Sequence, residues 1–446
     1  MKKTSRFISI VLCLVIIALP LAPHAYADSD LLYPVKIAVS IGDGKEYTVR
    51  GYDVTHENNL LLSLNDLAAI LKGTEKQFTV VFQNSAVHGA HYAITTGKAS
   101  GSAVFTGNDN RGTVWAELVR NRIFLNGADM RYYTYSTGGT LYMSLIDIQL
   151  MLDLKVESFP DNALRIYPEQ PFSVDILQLK EEGYFDSFSG VLVGDADRKT
   201  VLFAQNSSFP VPIASTSKLM TYLLLSEALE NGSVKSGDKV KISKKAAELS
   251  RTADAMVTLG ENTYVPLDEL TRMMLLASSN ECALAIAEHV SGSEEAFVEQ
   301  MNERAAELGM KTARFYNPHG LPEFRETAIP AKLQNRMSAA DMFRLCSYIL
   351  EHFPQITEIT SLQYSNMPTL NYTTANSNPL VFNMPGTSGL KTGSTDKAGY
   401  CLVASCPVTV DGEEHTMVAV VFGAETPGER GQAAEILLRF AKDWVS

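Results

Sequence analysis

Between Leu219 and Leu229 the chain is apolar on nearly every side, and no other stretch constrains the fold as much. A helix without a polar face has to be wrapped by other elements, so this run reads as the central helix of a layered domain. In front of it stands Ile213-Ala214-Ser215-Thr216-Ser217-Lys218, with a serine and a lysine three positions apart. Residues at i and i+3 share a helix face, which brings Lys218 Nζ within reach of Ser215 Oγ at the mouth of the interior. Burial disfavours the charged ammonium, and a neutral amine can take the proton of a hydroxyl. Unpaired N–H groups at the helix start favour negative charge developing beside Ser215. The same letters also describe an ordinary helix cap, and Ser-x-x-Lys recurs at Ser236/Lys239 and Ser394/Lys397 in polar, turn-like contexts. A nucleophile at Ser215 therefore needs partners elsewhere in the chain.

Wrapping such a helix takes apolar material, and 46% of the 446 residues are hydrophobic. That length suggests two or three domains at about 150 residues each. Residues 1–27 read as a signal peptide. Lys2, Lys3 and Arg6 precede an apolar run from Phe7 to Leu21, and Ala25-Tyr26-Ala27 has the small-x-small form of a cleavage site. The run is short for a membrane span, and Cys13 lacks the small residues of a lipoprotein site; an uncleaved N-terminal anchor is the alternative. Cleavage removes three cations and no acid, taking the net charge from −12 to −15 (−12 − 3). Such an exported, acidic protein is a poor partner for nucleic acid or anionic lipid. Cys282, Cys346, Cys401 and Cys406 are too sparse for a disulfide scaffold and lie in apolar segments, so they read as small buried hydrophobes, with one disulfide left open. His88 and His91 form a His-x-x-His without a third ligand, so no metal site is expected.

Residues 28–170 differ from the remainder. Short apolar stretches (Val35–Val39, Phe78–Phe82, Leu164–Tyr167) suggest strands, and two matching helix starts lie between them. Leu61-Leu62-Ser63-Leu64-Asn65-Asp66 and Tyr142-Met143-Ser144-Leu145-Ile146-Asp147 carry Ser and Asp at the same offset, 144 − 63 = 81 residues apart. Ser followed by an acid three positions on is a capping arrangement, so the region reads as two related α+β halves, each a hairpin plus a helix. It resembles the small domain family named after the N-terminal domain of copper amine oxidases, often appended to exported wall enzymes. No ligand cluster accompanies it, so no copper is implied. A wall-docking role is expected, with deletion of 28–170 leaving turnover of a small soluble peptide intact. Residues 171–184 form the expected connection.

From Phe185 onward, Gly190–Asp195 and Thr200–Ala204 read as a hairpin, and helical periodicity dominates from Ser217 to about His352. Leu390–Gly393, Tyr400–Cys406 and Met417–Gly423 read as strands, and Gln432–Val445 as a closing helix behind a loop, Thr426–Arg430. An antiparallel sheet built from both ends of the module, with a helical insertion, is the economical topology. Ile436, Leu437, Phe440, Ala441, Trp444 and Val445 form one stripe of the closing helix, suited to packing on that sheet rather than to a lipid interface. Partners for Ser215 appear in this module. Ser278-Ser279-Asn280 sits between helices at about Leu267–Ala277 and Glu281–Val290, offering a hydroxyl for proton relay and an amide for binding. Lys391-Thr392-Gly393 starts a strand, where a cation and a hydroxyl can hold a carboxylate and Gly393 leaves room for a ligand backbone. Taken singly, Ser278 and Asn280 could be helix caps and Lys391 a solvated strand-edge charge.

Ser-x-x-Lys, Ser-x-Asn and Lys-Thr-Gly in that order mark the penicillin-recognising serine enzymes. Pro212–Thr221, Asn317-Pro318-His319-Gly320-Leu321 and Gly389–Tyr400 narrow the likeness further. From about Phe185 to Ser446 the chain resembles the D-alanyl-D-alanine carboxypeptidases, the low-molecular-mass penicillin-binding proteins. The resemblance implies an α/β (α+β) fold, a penicillin-binding protein/β-lactamase-like antiparallel sheet flanked by helices, over residues 185–446. It implies no cofactor, a peptidoglycan stem peptide as substrate and β-lactams as covalent inhibitors. Ser215 would attack the D-Ala-D-Ala carbonyl with Lys218 as base, and the N–H groups of Ser215 and Ser394 would form an oxyanion hole, worth roughly 3–4 kcal/mol per donor. Ser278 would pass a proton to the leaving D-alanine with Lys391 in support, Thr392 and Arg430 would grip the terminal carboxylate, and His319 would shape the cleft. Where the family has Ser-Gly-Asn-Asp-Ala, this chain has Ser278-Ser279-Asn280-Glu281-Cys282-Ala283, which bears on rate or specificity more than on reaction type. Anchored members continue into a further domain and a membrane helix where this chain stops, so a secreted or wall-associated enzyme without a strong membrane anchor is expected. A β-lactamase, a DD-transpeptidase and an inactive peptidoglycan-binding protein remain the rivals. No Glu-x-x-Leu-Asn loop, the class A β-lactamase mark, is found, and pure binding has no need of Lys218.

Overall fold

A computed structural model of the chain describes residues 29–42, 44–53, 60–85, 89–98, 114–119, 123–137, 139–159, 162–325 and 331–445. The signal-peptide reading of 1–27 and His88 lie outside the described residues.

The N-terminal part holds an eight-stranded sheet in the order Lys155–Phe159, Ala163–Tyr167, Ser29–Ile41, Glu46–Asp53, Leu60–Ser63, Thr140–Ser144, Thr134–Thr137, Val114–Val119. Both serine-led helix starts form as the spacing requires. Ser63 Oγ accepts from Asp66 N at 3.2 Å and Ser144 Oγ from Asp147 N at 3.1 Å, opening helices Leu64–Ile70 and Leu145–Leu152. The strands before them pair antiparallel, Leu62 with Met143, Ser63 with Tyr142 and Leu61 with Ser144. Each equivalent residue is displaced by 81 (144 − 63, 143 − 62, 142 − 61), so an approximate two-fold axis runs through the Leu62–Met143 pair. Leu62, Leu64, Leu67, Leu141, Met143 and Ile148 meet in a common core around it.

The C-terminal part is built on a five-stranded antiparallel sheet in the order Thr200–Gln205, Gly190–Asp195, Glu413–Ala424, Gly399–Val410, Gly389–Thr395. Its central strands are apolar on both faces because both are covered. Val191, Val193, Leu402, Ala419 and Val421 meet the closing helix, while Leu192, Val403, Val418, Val420 and Phe422 meet the helical insertion. Within that insertion Lys218–Glu230 is enclosed as its composition demands, with ten of its thirteen residues buried.

Two readings of the closing helix are corrected. It spans Pro427–Val445, so Arg430 sits in its first turn and not in a preceding loop. Ile436, Leu437 and Ala441 are fully buried against the sheet, whereas Trp444 is 67% exposed beyond the end of the packed stripe. Among the described residues no helix is long and apolar enough to cross a membrane. The connecting stretch carries a helix, Ile176–Glu181, capped by Asp175, and Ile176 packs into the same core as the closing helix. The closing helix also touches the N-terminal part, where Gln432 Nε2 donates to Ser144 Oγ at 3.1 Å and Arg439 Nη2 to the Leu150 carbonyl at 3.0 Å. Cys282, Cys346, Cys401 and Cys406 are buried and unpaired.

Candidate active site

Ser215 lies in a short 3-10 turn, Ala214–Ser217, that leads into the buried helix. The turn is fixed by its neighbours' hydroxyls, since Thr216 Oγ1 donates to the Ile213 carbonyl and Ser217 Oγ to the Ala214 carbonyl, each at 2.6 Å. Ser215 Oγ is therefore free of capping duty. Lys218 Nζ donates to it at 2.7 Å, and also to Asn280 Oδ1 at 2.8 Å and the His319 carbonyl at 2.7 Å. Three oxygen acceptors occupy the amine's hydrogen-bonding directions and aim it at the hydroxyl. Burial lowers the Lys218 amine to about 7, against the opposing pull of nearby Glu281. A substantial neutral fraction at neutral pH is what a base for a serine hydroxyl requires.

The Ser-x-Asn segment follows a π-helical turn, Met273–Ala277, that ends with Ser278 at φ +64°. The helix cap here is Ser279, whose Oγ accepts from Cys282 N at 3.1 Å, which leaves the side chains of Ser278 and Asn280 to other partners. Asn280 Oδ1 takes the Lys218 bond, and Nδ2 gives one of its two N–H donors to the Asp254 carbonyl at 2.9 Å. Asn280 positions Lys218 and ties down the 251–257 loop. Glu281 completes the tie, with Oε1 accepting from Met256 N and Val257 N at 2.9 and 2.7 Å. Glu281 thus acts in anchoring the loop.

The Asn317–Leu321 loop supplies the remaining Lys218 acceptor. Asn317 Oδ1 folds it by accepting from Gly320 N at 2.7 Å, and Thr221 of the buried helix donates to the Pro318 carbonyl at 2.6 Å. Burial, then the charges of Lys218 and Lys245, lower the His319 imidazole to about 3. The ring is neutral, Nδ1 accepts from Leu321 N at 3.2 Å, and the 3.8 Å approach to Glu294 is no ion pair.

Lys391, Thr392 and Gly393 lie on the edge strand Gly389–Thr395, beside the nucleophile. Lys391 is 1% exposed, which overturns its reading as a solvated charge; Nζ donates to the Thr392 carbonyl at 2.9 Å. Burial, then the charges of Lys218 and Arg430, hold its amine well below the ordinary lysine range. Thr392 Oγ1 shares a 2.6 Å hydrogen bond with Ser377 Oγ. A Cβ at Gly393 would lie 2.8 Å from Ser215 N and 3.0 Å from Thr216 N, so the glycine admits the nucleophile's own backbone. Gly320 does the same from the other side, where a Cβ would lie 2.0 Å from the Ala214 carbonyl oxygen. Ser394 is exposed and lines a cleft of about 890 Å³ with Asp254, Leu321, Thr395, Tyr400 and Glu425. Arg430 lies over the Tyr400 ring and donates to the Gly393 carbonyl at 3.3 Å, which places it against the same strand.

Ser215, Lys218 and Asn280 are thus directly bonded, Gly393 touches the Ser215 backbone, and Lys391, Thr392, Ser394 and Arg430 share the adjoining strand. Residues the motif reading missed are Ser377 and Asn378, the latter donating from Nδ2 to the Gly389 carbonyl at 2.7 Å. Both stand in Asn376-Ser377-Asn378-Pro379, a turn-like run that looks like any loop until the Gly389–Thr395 strand is placed beside it.

A buried amine poised on a serine hydroxyl defines a serine-nucleophile acyl-transfer centre. The D-alanyl-D-alanine carboxypeptidase family, peptidase S11, matches residues 181–426, more than half of the chain, and the chain belongs to it. A similar relative is the D-alanyl-D-alanine carboxypeptidase DacF of Bacillus subtilis (strain 168), 37% identical over 257 residues, 57% of this chain and 61% of that one. Among solved structures, a peptidoglycan synthesis regulatory factor (PBP3) from Streptococcus pneumoniae matches with TM-score 0.52 and 30% identity over 58% of this chain and 71% of its own. The penicillin-binding protein D2 of Listeria monocytogenes in its cefotaxime-bound form matches with TM-score 0.50 and 26% identity over 57% and 96%. The chain spans about three fifths of the length of the curated relatives it matches.

Proposed function

We propose that the protein is a serine-type D-Ala-D-Ala carboxypeptidase that removes the terminal D-alanine of peptidoglycan pentapeptides through an acyl-enzyme on Ser215. The observation that carries this reading is the Lys218 amine, lowered to about 7 and bonded to Ser215 Oγ at 2.7 Å. In this mechanism Ser215 Oγ bonds to the peptide carbonyl carbon while its proton passes to neutral Lys218. The N–H groups of Ser215 and Ser394 hold the oxyanion. Lys218 then gives its proton by way of Ser278 to the departing D-alanine nitrogen as the C–N bond breaks, with Lys391 supporting the transfer, and is neutral again. Thr392 and Arg430 hold the terminal carboxylate, whose charge the Arg430 guanidinium beside that strand complements. Water, deprotonated by Lys218, then hydrolyses the ester. His319, neutral and bonded within its own loop, shapes the cleft and moves no proton.

β-Lactams would acylate the same serine, in keeping with the cefotaxime-bound relative. Residues 1–27 would direct export and be removed, placing the enzyme at the wall, and residues 28–170 would act as an accessory domain that docks it there. Release of D-alanine from a pentapeptide, together with labelling by a fluorescent penicillin, tests the reading: both are expected in the intact chain and absent in Ser215→Ala. Labelling that survives Ser215→Ala overturns it. Rapid β-lactam turnover would indicate a β-lactamase instead, and capture of the acyl group by an added amine a transpeptidase. Removing residues 28–170 should weaken association with purified walls, and unchanged association removes the docking role.

A further inference from the structure

Thr392 does not stand alone on its strand. Its hydroxyl bonds Ser377, whose own N–H donates to the Leu276 carbonyl at 3.0 Å, two residues before Ser278. Asn378 adds the bond from Nδ2 to the Gly389 carbonyl at 2.7 Å, and its Oδ1 accepts from Leu380 N at 3.0 Å to start the short helix Leu380–Asn383. Residues 377–378 therefore knit the Lys-Thr-Gly strand to the Ser-x-Asn turn. The far end of that helix is held from outside the C-terminal sheet.

That hold is a reciprocal pair. Arg131 N donates to Asn383 Oδ1 at 2.6 Å, and Asn383 Nδ2 donates to the Arg131 carbonyl at 3.2 Å. The carboxamide thereby extends the N-terminal strand Ala128–Met130 as a neighbouring backbone would. Around it the Arg131 guanidinium lies 4.6 Å from the Phe382 ring centroid and donates to Tyr364 Oη at 2.9 Å, while that hydroxyl also bonds Asp129. Asn383 is 8% exposed and Asn378 1%, so these bonds are made away from bulk water, where an unmade partner is costly.

We propose that the N-terminal unit positions the carboxylate grip of the active site: Asn383, clamped by the Arg131 backbone, fixes the Ser377–Asn383 segment that sets Thr392 and Gly389. Asn383 is a positioning residue that acts through the segment ending at Ser377, whose hydroxyl touches Thr392. The inference rests on the carboxypeptidase reading for the identity of the bound carboxylate. It revises the expectation that residues 28–170 are dispensable for turnover of a soluble peptide, because those residues supply one half of the clamp.

The test uses the full chain and two acyl donors, an acyl-D-Ala-D-Ala peptide and a p-nitrophenyl ester that carries no carboxylate. Asn383→Ala is expected to raise KM for the peptide about tenfold while kcat and ester hydrolysis stay within twofold. Asn383→Asp, which keeps the acceptor for Arg131 N–H, should recover part of that loss. Ser63→Ala weakens the same unit by removing a distant helix cap and should leave KM within twofold. An unchanged peptide KM in Asn383→Ala, equal losses on both donors, or an equal KM rise in Ser63→Ala each overturn the positioning role. Failure of the intact chain to release D-alanine while Ser215 still turns over the ester counts against the carboxypeptidase reading instead.

Discussion

Ser144–Asp147 and Ser215–Lys218 share one sequence offset, a serine at a helix start and a buried titratable residue three positions on. At the first, the hydroxyl accepts the Asp147 backbone N–H at 3.1 Å and is spent as a cap. At the second, the turn is already closed by Thr216 and Ser217, and the hydroxyl meets the Lys218 amine at 2.7 Å. Burial acts on the two titratable groups with opposite signs, raising Asp147 to about 7 and lowering Lys218 to about 7. One offset thus yields a structural cap beside a carboxyl that burial raises against the lowering bonds of Gln432 and Ser144, and a nucleophile beside an amine that burial lowers. What separates them is which part of residue i+3 reaches the hydroxyl.

The comparison breaks most visibly at the two serines. Ser215→Ala should cut D-alanine release by about 10⁴-fold or more while the unfolding midpoint barely moves, because that hydroxyl caps nothing. Loss of Asn280 Oδ1 in Asn280→Ala should slow acylation by about a hundredfold, as Lys218 loses one of its three aiming partners. A parallel loss of thermal stability without loss of rate would reassign Asn280 to loop anchoring alone.

The titrations sharpen the contrast. Acylation should rise about tenfold per pH unit below 7 and level off above it, as Lys218 sheds its proton. For Asp147, the folded chain between pH 3.8 and about 7 holds a proton that the unfolded chain releases, so stability falls as pH rises through that window. Asp147→Asn should remove this dependence, worth at most roughly 4 kcal/mol between the ends of the window, in unfolding measured at pH 4 and pH 8. The smallest effect belongs to Ser63→Ala, about 1 kcal/mol of stability with penicillin labelling unchanged.

Much of the fold and of the site is legible in the order of residues. Local patterns act over three or four positions, so the caps at Ser63 and Ser144, the enclosed helix at Lys218–Glu230 and the strands around Lys391 follow from spacing and apolar content alone. The three motifs of the site are legible too, because a nucleophile, its buried base and an anion grip each need particular side-chain chemistry. Pattern alone leaves out the contacts that Asn280 and Gly393 make, since Lys218 lies 62 residues and Asp254 26 residues from Asn280, and the Ser215 backbone comes to Gly393 from a distant segment. Arg430 is likewise placed in a loop by its Pro-Gly surroundings, whereas the packed closing helix extends back to include it.

The sequence by itself determined which groups are present, in which local conformation, and that the serine and lysine share a helix face. Only the tertiary structure decided that Asn280 is spent on Lys218 and that Glu281 holds the neighbouring loop. It also decided that Thr392 is reached through Ser377, and that segment in turn through Arg131 of the N-terminal unit. The physical reason is range: helix and strand periodicity is written in neighbouring residues, whereas a hydrogen bond across a packed interface depends on how two sheets and their helices exclude water from the same space.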